Sequence, residues 1–232
     1  CDLRGTQCRL CQYPNNAAGR EIISLLKAIL RQTIEGLPPV KCGIAGISIG
    51  IHGVVHQNRA VFTPYYSLEG LDLATALEAE FQIPVYLENE ANLSVLGERA
   101  FYFDYPDMVN ISVHSGVGLG ILIDDQLYVG KNGYAGEFGH TIIEPGGRPC
   151  PCGNRGCIEQ DVSERAVLRE ISEAKGHRIS LDQFISLYTE KDADALRIMD
   201  EFVRYMAAGI NNILNIFNPD AIILNSSFTI YL

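Results

Sequence analysis

The chain is short of positive charge. Lysine and arginine number 18 against 28 aspartates and glutamates, a net charge of −10 over 232 residues. A nucleic-acid surface needs a basic patch to meet phosphates, and this composition supplies none. Long apolar runs are missing too. Nothing approaches the roughly eighteen consecutive apolar residues that span a bilayer, so no membrane partner is expected. The opening CDLRG shows no signal-peptide pattern. No internal repeat or low-complexity tract is present. What remains is an ordinary globular composition, 47% hydrophobic, enough for one large domain or two small ones.

Seven cysteines are an odd number, and three crowd into one loop. That argues against a disulfide scaffold and for a reducing, cytoplasmic setting. Cys1, Cys8, Cys11 and Cys42 have no histidine at ligand-like spacing and read as ordinary residues. His140, Cys150, Cys152 and Cys157 differ, with the spacing His-x9-Cys-x-Cys-x4-Cys inside eighteen residues. One imidazole and three thiolates are a complete tetrahedral set for Zn²⁺. Glycines and prolines among them let the backbone turn tightly. Disulfides or buried free thiols are the competing reading. A closed set leaves no position for a catalytic water, so such a metal is structural. Glu137, Glu144 and Glu159 flank the loop and cannot all be ligands. Those left over could face a polyol.

Along the chain, residues 1–13 suggest one edge strand. Pro14-Asn15-Asn16 reads as a turn whose asparagine caps a helix through Ile22, Leu26, Ile29 and Leu30, ending near Gly36 to Pro39. The apolar run at 42–51 reads as a buried strand, followed by a glycine turn and polar residues. Leu71, Ala74, Leu77 and Phe81 mark a second helix, 83–87 a strand, and Glu88-Asn89-Glu90 the start of a third helix. Strand and helix alternating at this spacing predict a parallel α/β layer. Near Tyr105-Pro106 the pattern changes to an antiparallel meander over 109–129, then helices at 163–175, 181–188 and 192–217, and a last strand at 221–224. Domains are expected at 1–105 and 106–232.

Three groups could do chemistry. Glu88-Asn89-Glu90 follows a buried strand, the edge where α/β folds bind ligands. A carboxylate and an amide there suit sugar hydroxyls, or are simply the acidic start of a helix. Gly116-Val117-Gly118-Leu119-Gly120 could cradle phosphate through backbone N–H groups, or be a plain glycine hairpin. No lysine or arginine follows it closely, unlike a P-loop. His52, His56, His114 and His177 are scattered and read as surface or core residues, with His114 beside the glycine turn hardest to set aside.

The stretch NGYAGEFGHTIIEPGGRPCPCGNRGCIE resembles the signature of the ROK family of bacterial repressors and sugar kinases. The likeness runs over essentially the whole chain: GISIGIHGVV is similar to the family's GxPGxV turn, LENEANLSVLGE to its ENDAN segment, and NIFNPDAIIL to a late helix–strand step. The resemblance implies an actin-like (RNase-H-like) two-domain α/β ATPase fold with a sugar in its cleft. It implies Zn²⁺ on His140, Cys150, Cys152 and Cys157. It also implies sugar contacts from Asn89, Glu90, Glu137, His140 and Glu159, with the metal fixing the loop that presents Glu159.

Two departures bear on activity. Family kinases carry aspartate at the Glu90 position, where it is the general base, and threonine at the Val117 position between Gly116 and Gly118. A base displaced by about 1 Å can cost about a hundredfold in rate. Asp2-Leu3-Arg4-Gly5-Thr6 mimics the first phosphate loop but lies too near the first helix, so the true loop is expected upstream of residue 1; a start without methionine and a stop just after an apolar strand make the chain a fragment expected to be truncated at both ends. The two departures favour the non-catalytic repressor branch, and the NEAN variant and the ILNSSFT ending resemble its xylose-responsive members. Such a protein would meet operator DNA through a domain missing from this chain and would form a homodimer. The alternative is an ATP-dependent sugar kinase of glucokinase or N-acetylmannosamine kinase type.

Overall fold

Turn chemistry and alternating apolar runs set the elements. The computed structural model describes residues 1–6, 8–14, 17, 19–38, 42–64 and 66–229. They form two compact units, Cys1–Leu93 with Val129–Tyr134, and Ser94–Tyr128 with Ala135–Leu232. The passage from one to the other falls inside a helix, at Leu93/Ser94, whereas the sequence pattern changes near residue 106. The physical reason is Val95: fully buried, it packs with Met108 and Leu122, so the later half of that helix belongs to the second core.

In the first unit, α1 (Glu21–Glu35) lays Ile22, Leu26 and Leu30 on the core. It stops as expected at Gly36, whose N–H closes on Gln32 O, but it starts later than expected: Arg20 holds the N-cap position with no side-chain cap, so the asparagines at 15 and 16, which lie outside the described residues, are too far upstream to cap it. Residues 1–13 hold no strand among those described; Asp2 instead closes a local loop by accepting from the Thr6 N–H (2.9 Å) and hydroxyl (2.8 Å). β1 (Ile47–Ile51) is shorter than the 42–51 run. Its partner β4 (Val85–Asn89) sets the length, pairing in parallel from Ile47↔Val85 to Ile51↔Asn89. The polar stretch after β1 is a hairpin, β2 (Val54–His56) and β3 (Arg59–Phe62), turned by Gln57 and Asn58 at φ 51° and 61°. α2 (Leu73–Phe81) is capped by Asp72, which accepts from the Thr75 N–H. Glu88 and Asn89 end β4, and only Glu90 begins α3 (Glu90–Phe101).

The second unit is built on a four-stranded sheet in the order β7-β6-β5-β8. β5 (Met108–Val113) pairs antiparallel with β6 (Val117–Ile123) and parallel with β8 (Ala221–Ser226); β7 is only Gln126–Leu127. All six β5 residues are buried, the pattern of a strand covered on both faces. The glycine run at 116–120 is mostly strand: Val117 opens β6, and the turn itself is Ser115-Gly116. Four helices follow, α4 (Glu159–Val162), α5 (Glu164–Lys175), α6 (Leu181–Thr189) and α7 (Ala193–Phe217). Ser163, the capping box Ser180–Gln183 and Asp192 cap the last three. Ile198, Met199, Phe202, Met206 and Ile213 form the buried stripe of α7, while Leu214 beside it is 47% exposed. Phe228 meets Phe202 and Phe184 edge to face at 5.3 and 5.8 Å. Among the described residues no helix is long and apolar enough to cross a membrane.

Phe202 is 1% exposed at the centre of this aromatic cluster. Phe202→Ala is expected to cost about 3–5 kcal/mol, read as a lowered denaturant midpoint at unchanged slope.

Candidate functional site

The loop of the second unit is pinned before it can hold anything. A single 3-10 turn, Phe138–His140, buries Phe138 and leaves His140 partly exposed. Cys157 lies beside the fully buried Ile158. Both anchors press on Gly209 of α7, where an added Cβ would stand 2.6 Å from Ile158 Cδ1 and from Phe138 Cζ. Only glycine allows that approach. Between the anchors the loop closes on itself, with the Gly156 N–H donating to Arg148 O (2.7 Å) and the Cys150 N–H to Asn154 O (2.9 Å). Arg148 ties the loop to Glu170 on α5 and lies 3.5 Å from the Asp161 carboxylate.

The result brings His140, Cys150, Cys152 and Cys157 together, their ligand atoms all within 4.8 Å of one another. Cys150 Sγ is 3.6 Å from His140 Nδ1, and Cys152 Sγ is 3.7 Å from Cys157 Sγ. A tetrahedral ion with bonds of about 2.3 Å to sulfur and 2.0 Å to nitrogen requires edges of roughly 3.5–3.8 Å. The donor set therefore fits a metal ion. Its charges ask for one as well. Burial, reinforced by the neighbouring Cys152 and Cys150 thiols, pushes Cys157 up to about 12. Burial also raises Cys150. Burial opposes ionisation of Cys152, yet the Asn154 N–H and the adjacent thiols lower it. Three thiolates cannot share this space without a cation among them. Gln160, absent from the sequence-based candidates, points its side-chain N–H at Cys150 Sγ (3.6 Å).

The flanking glutamates lie outside the four-residue cluster and do different work. Glu144 accepts from the Tyr205 hydroxyl at 2.9 Å. Glu137 lies 3.8 Å from His140 Nε2, the nitrogen turned away from the thiols. Glu159 is drawn inward: Oε2 accepts from the Val117 N–H (3.1 Å) and Oε1 from Arg165 (3.1 Å). A Cβ on Gly116 would sit 2.9 Å from that Oε2, so the glycine turn makes room for a carboxylate. The Val117 side chain is buried in the core. His114 is exposed, and its backbone shapes the turn by donating to Gly116 O and accepting from the Glu164 N–H. Arg165 carries no sequence signal as a partner of Glu159, because the break at Ser163 interrupts helical spacing between them.

In the first unit, Asn89 is a structural hub. Its amide donates to Gly53 O (2.8 Å) and its carbonyl accepts from the Ala91 and Asn92 N–H groups (2.8 and 3.2 Å), capping α3. Glu88 accepts from the Asn89 N–H and the Asn92 amide. Glu90 Oε1 lies 2.9 Å from His52 Nδ1, a partner that scattered histidines in the sequence did not reveal. That contact raises His52 above its ordinary value, with burial opposing.

Comparison with known proteins agrees with this geometry. The ROK family profile matches residues 7–230. The chain is 34% identical over 231 residues to the xylose repressor of Bacillus subtilis (strain 168), covering 97% of this chain and 60% of that protein. It is 30% identical over 234 residues to a glucokinase of Halalkalibacterium halodurans, covering 92% of this chain and 71% of that one. Its fold superposes on the crystal structure of a ROK family transcriptional regulator, a homologue of the Escherichia coli MLC protein, with a TM-score of 0.78 at 26% identity over 90% of this chain and 57% of that one. The fold is thus the actin-like α/β fold.

Metal uptake by this set must expel thiol protons, above all the one Cys157 holds up to about 12. Affinity for a divalent ion is expected to fall as pH falls, with proton release measurable by calorimetry in buffers of different ionisation enthalpy. Cys157→Ser is expected to lose at least tenfold in metal affinity, about 1.4 kcal/mol or more.

Proposed function

Because the chain belongs to the ROK family, we propose that it is the sugar-sensing part of a transcriptional repressor that responds to xylose. The relatives include repressors and kinases, so family membership alone does not choose between sensing and catalysis. One observation carries the choice. The Val117 N–H, which a phosphate would need in this glycine turn, already donates to the Glu159 carboxylate. An anion already sits on the turn, and valine offers no hydroxyl to a second one. Glu90, at the position where family kinases carry aspartate, is engaged by His52. Both features favour binding without phosphoryl transfer.

In this reading Asn89, Glu90, Glu137, His140 and Glu159 are the residues proposed to meet sugar hydroxyls. Zn²⁺ is the ion proposed for His140, Cys150, Cys152 and Cys157, since three thiolates and an imidazole are its usual structural set. The ion would supply the positive charge that lets the thiols ionise. The chain's own contacts do the rest: Phe138 and Ile158 fix the loop ends, and Arg165 holds Glu159. The chain spans 60% of the Bacillus subtilis relative. At net charge −10, operator DNA would be met by residues outside these 232. A cytoplasmic homodimer belongs to the same proposal.

Calorimetric titration with xylose, glucose and N-acetylmannosamine tests it. Xylose is expected to bind, and a coupled assay with ATP to show no sugar phosphorylation. ATP-dependent turnover would sink the repressor reading. Cys150→Ser is expected to abolish both metal and sugar binding; sugar affinity that survived metal loss unchanged would break the link between loop and effector.

A further inference from the structure

On the sugar-binding reading above, we infer that His52 is a positioning residue of the effector site, whose imidazole fixes how Glu90 meets a sugar hydroxyl. The placement follows from strand register. β1 and β4 run parallel with Ile51 opposite Asn89, so the next residue on each strand, His52 and Glu90, leaves the sheet at the same level. That is the carboxyl edge of parallel strands, where α/β folds bind ligands. The two side chains then meet, with Nδ1 2.9 Å from Oε1.

Backbone struts hold the pair from both sides. Asn89, just before Glu90, donates its amide to the carbonyl of Gly53, just after His52, at 2.8 Å. Gly50 lies beneath Glu90, where an added Cβ would be 3.7 Å from the Glu90 Cβ. Glu88, the other carboxylate at this edge, is turned to the Asn89 N–H and the Asn92 amide. Among the described residues, the charged group acting on the imidazole is Glu90. Neither side chain is sealed off: His52 is 48% exposed and Glu90 35%, as residues awaiting a ligand must be.

The chemistry follows from the tautomer. With Nδ1–H donating to Glu90, Nε2 is left for other partners, an acceptor when the ring is neutral and a donor when it is protonated. The carboxylate stabilises the protonated ring and holds His52 above its ordinary value of 6.5. Below that raised value the pair is imidazolium and carboxylate. As pH rises through it, Glu90 keeps a hydrogen bond but loses the opposite charge. Sugar binding should therefore carry a pH step that belongs to this pair.

Proton NMR of the His52 ring and xylose calorimetry across pH, on the purified chain and its variants, test this. In the wild type the ring is expected to titrate above the usual histidine range, and Glu90→Gln to bring it down; an unmoved midpoint would mean the pair does not exist in solution and would overturn the role. His52→Ala is expected to weaken xylose binding about tenfold and to remove the pH step. His52→Asn keeps an N–H near the Nδ1 position, so it should retain most of the affinity yet lose the step. A His52→Ala protein that binds like wild type at every pH overturns the role of His52 and leaves the repressor reading standing. A wild type that binds none of the tested sugars, while the NMR coupling persists, overturns the sugar reading and this role together.

Discussion

The second unit depends on bringing one imidazole and three thiols within 4.8 Å of one another. Left to themselves these groups resist the arrangement, because burial keeps protons on Cys150 and Cys157. A cation would resolve the conflict by turning mutually repelling thiolates into ligands, and its binding would be linked to the closure of the loop. The protein contributes the scaffold: Phe138 and Ile158 sink into the core on either side, and Gly209 of α7 lets both approach. The loop is thus fixed at its ends by hydrophobic packing and carries the donor set at its centre.

Its consequence is felt one turn further on. Glu159 follows the last ligand by two residues, so whatever fixes Cys157 also fixes where α4 begins. The carboxylate then reaches the Val117 N–H and Arg165. A glycine turn that could receive phosphate from backbone N–H groups is shared instead with a side chain of the same unit. In the first unit the corresponding constraint is Asn89, whose single side chain caps α3 and grips the β1–β2 turn. It sets the distance at which His52 and Glu90 face each other.

Much of this was legible in the sequence where the information is local. The metal set could be read from spacing because its members lie close along the chain, in a loop whose glycines and prolines permit the turns. The parallel β1–β4 pair, the meander and the long α7 follow from periodicity. Misplaced boundaries share one cause. Residues 42–46 look like strand, yet the register with β4 begins only at Ile47, and residues 117–120 look like a turn but are bound into β6 by β5.

By itself, then, the sequence determined the fold class, the candidate metal cluster and the absence of a hydroxyl at Val117, since each is written in residue type and short spacing. Tertiary structure alone decided the partners: His52 for Glu90, Arg165 for Glu159, Gly209 for the loop anchors. Those pairings join residues whose separation along the chain carries no period. Strand register and the packing of α7 bring them together, and neither is encoded in any one stretch.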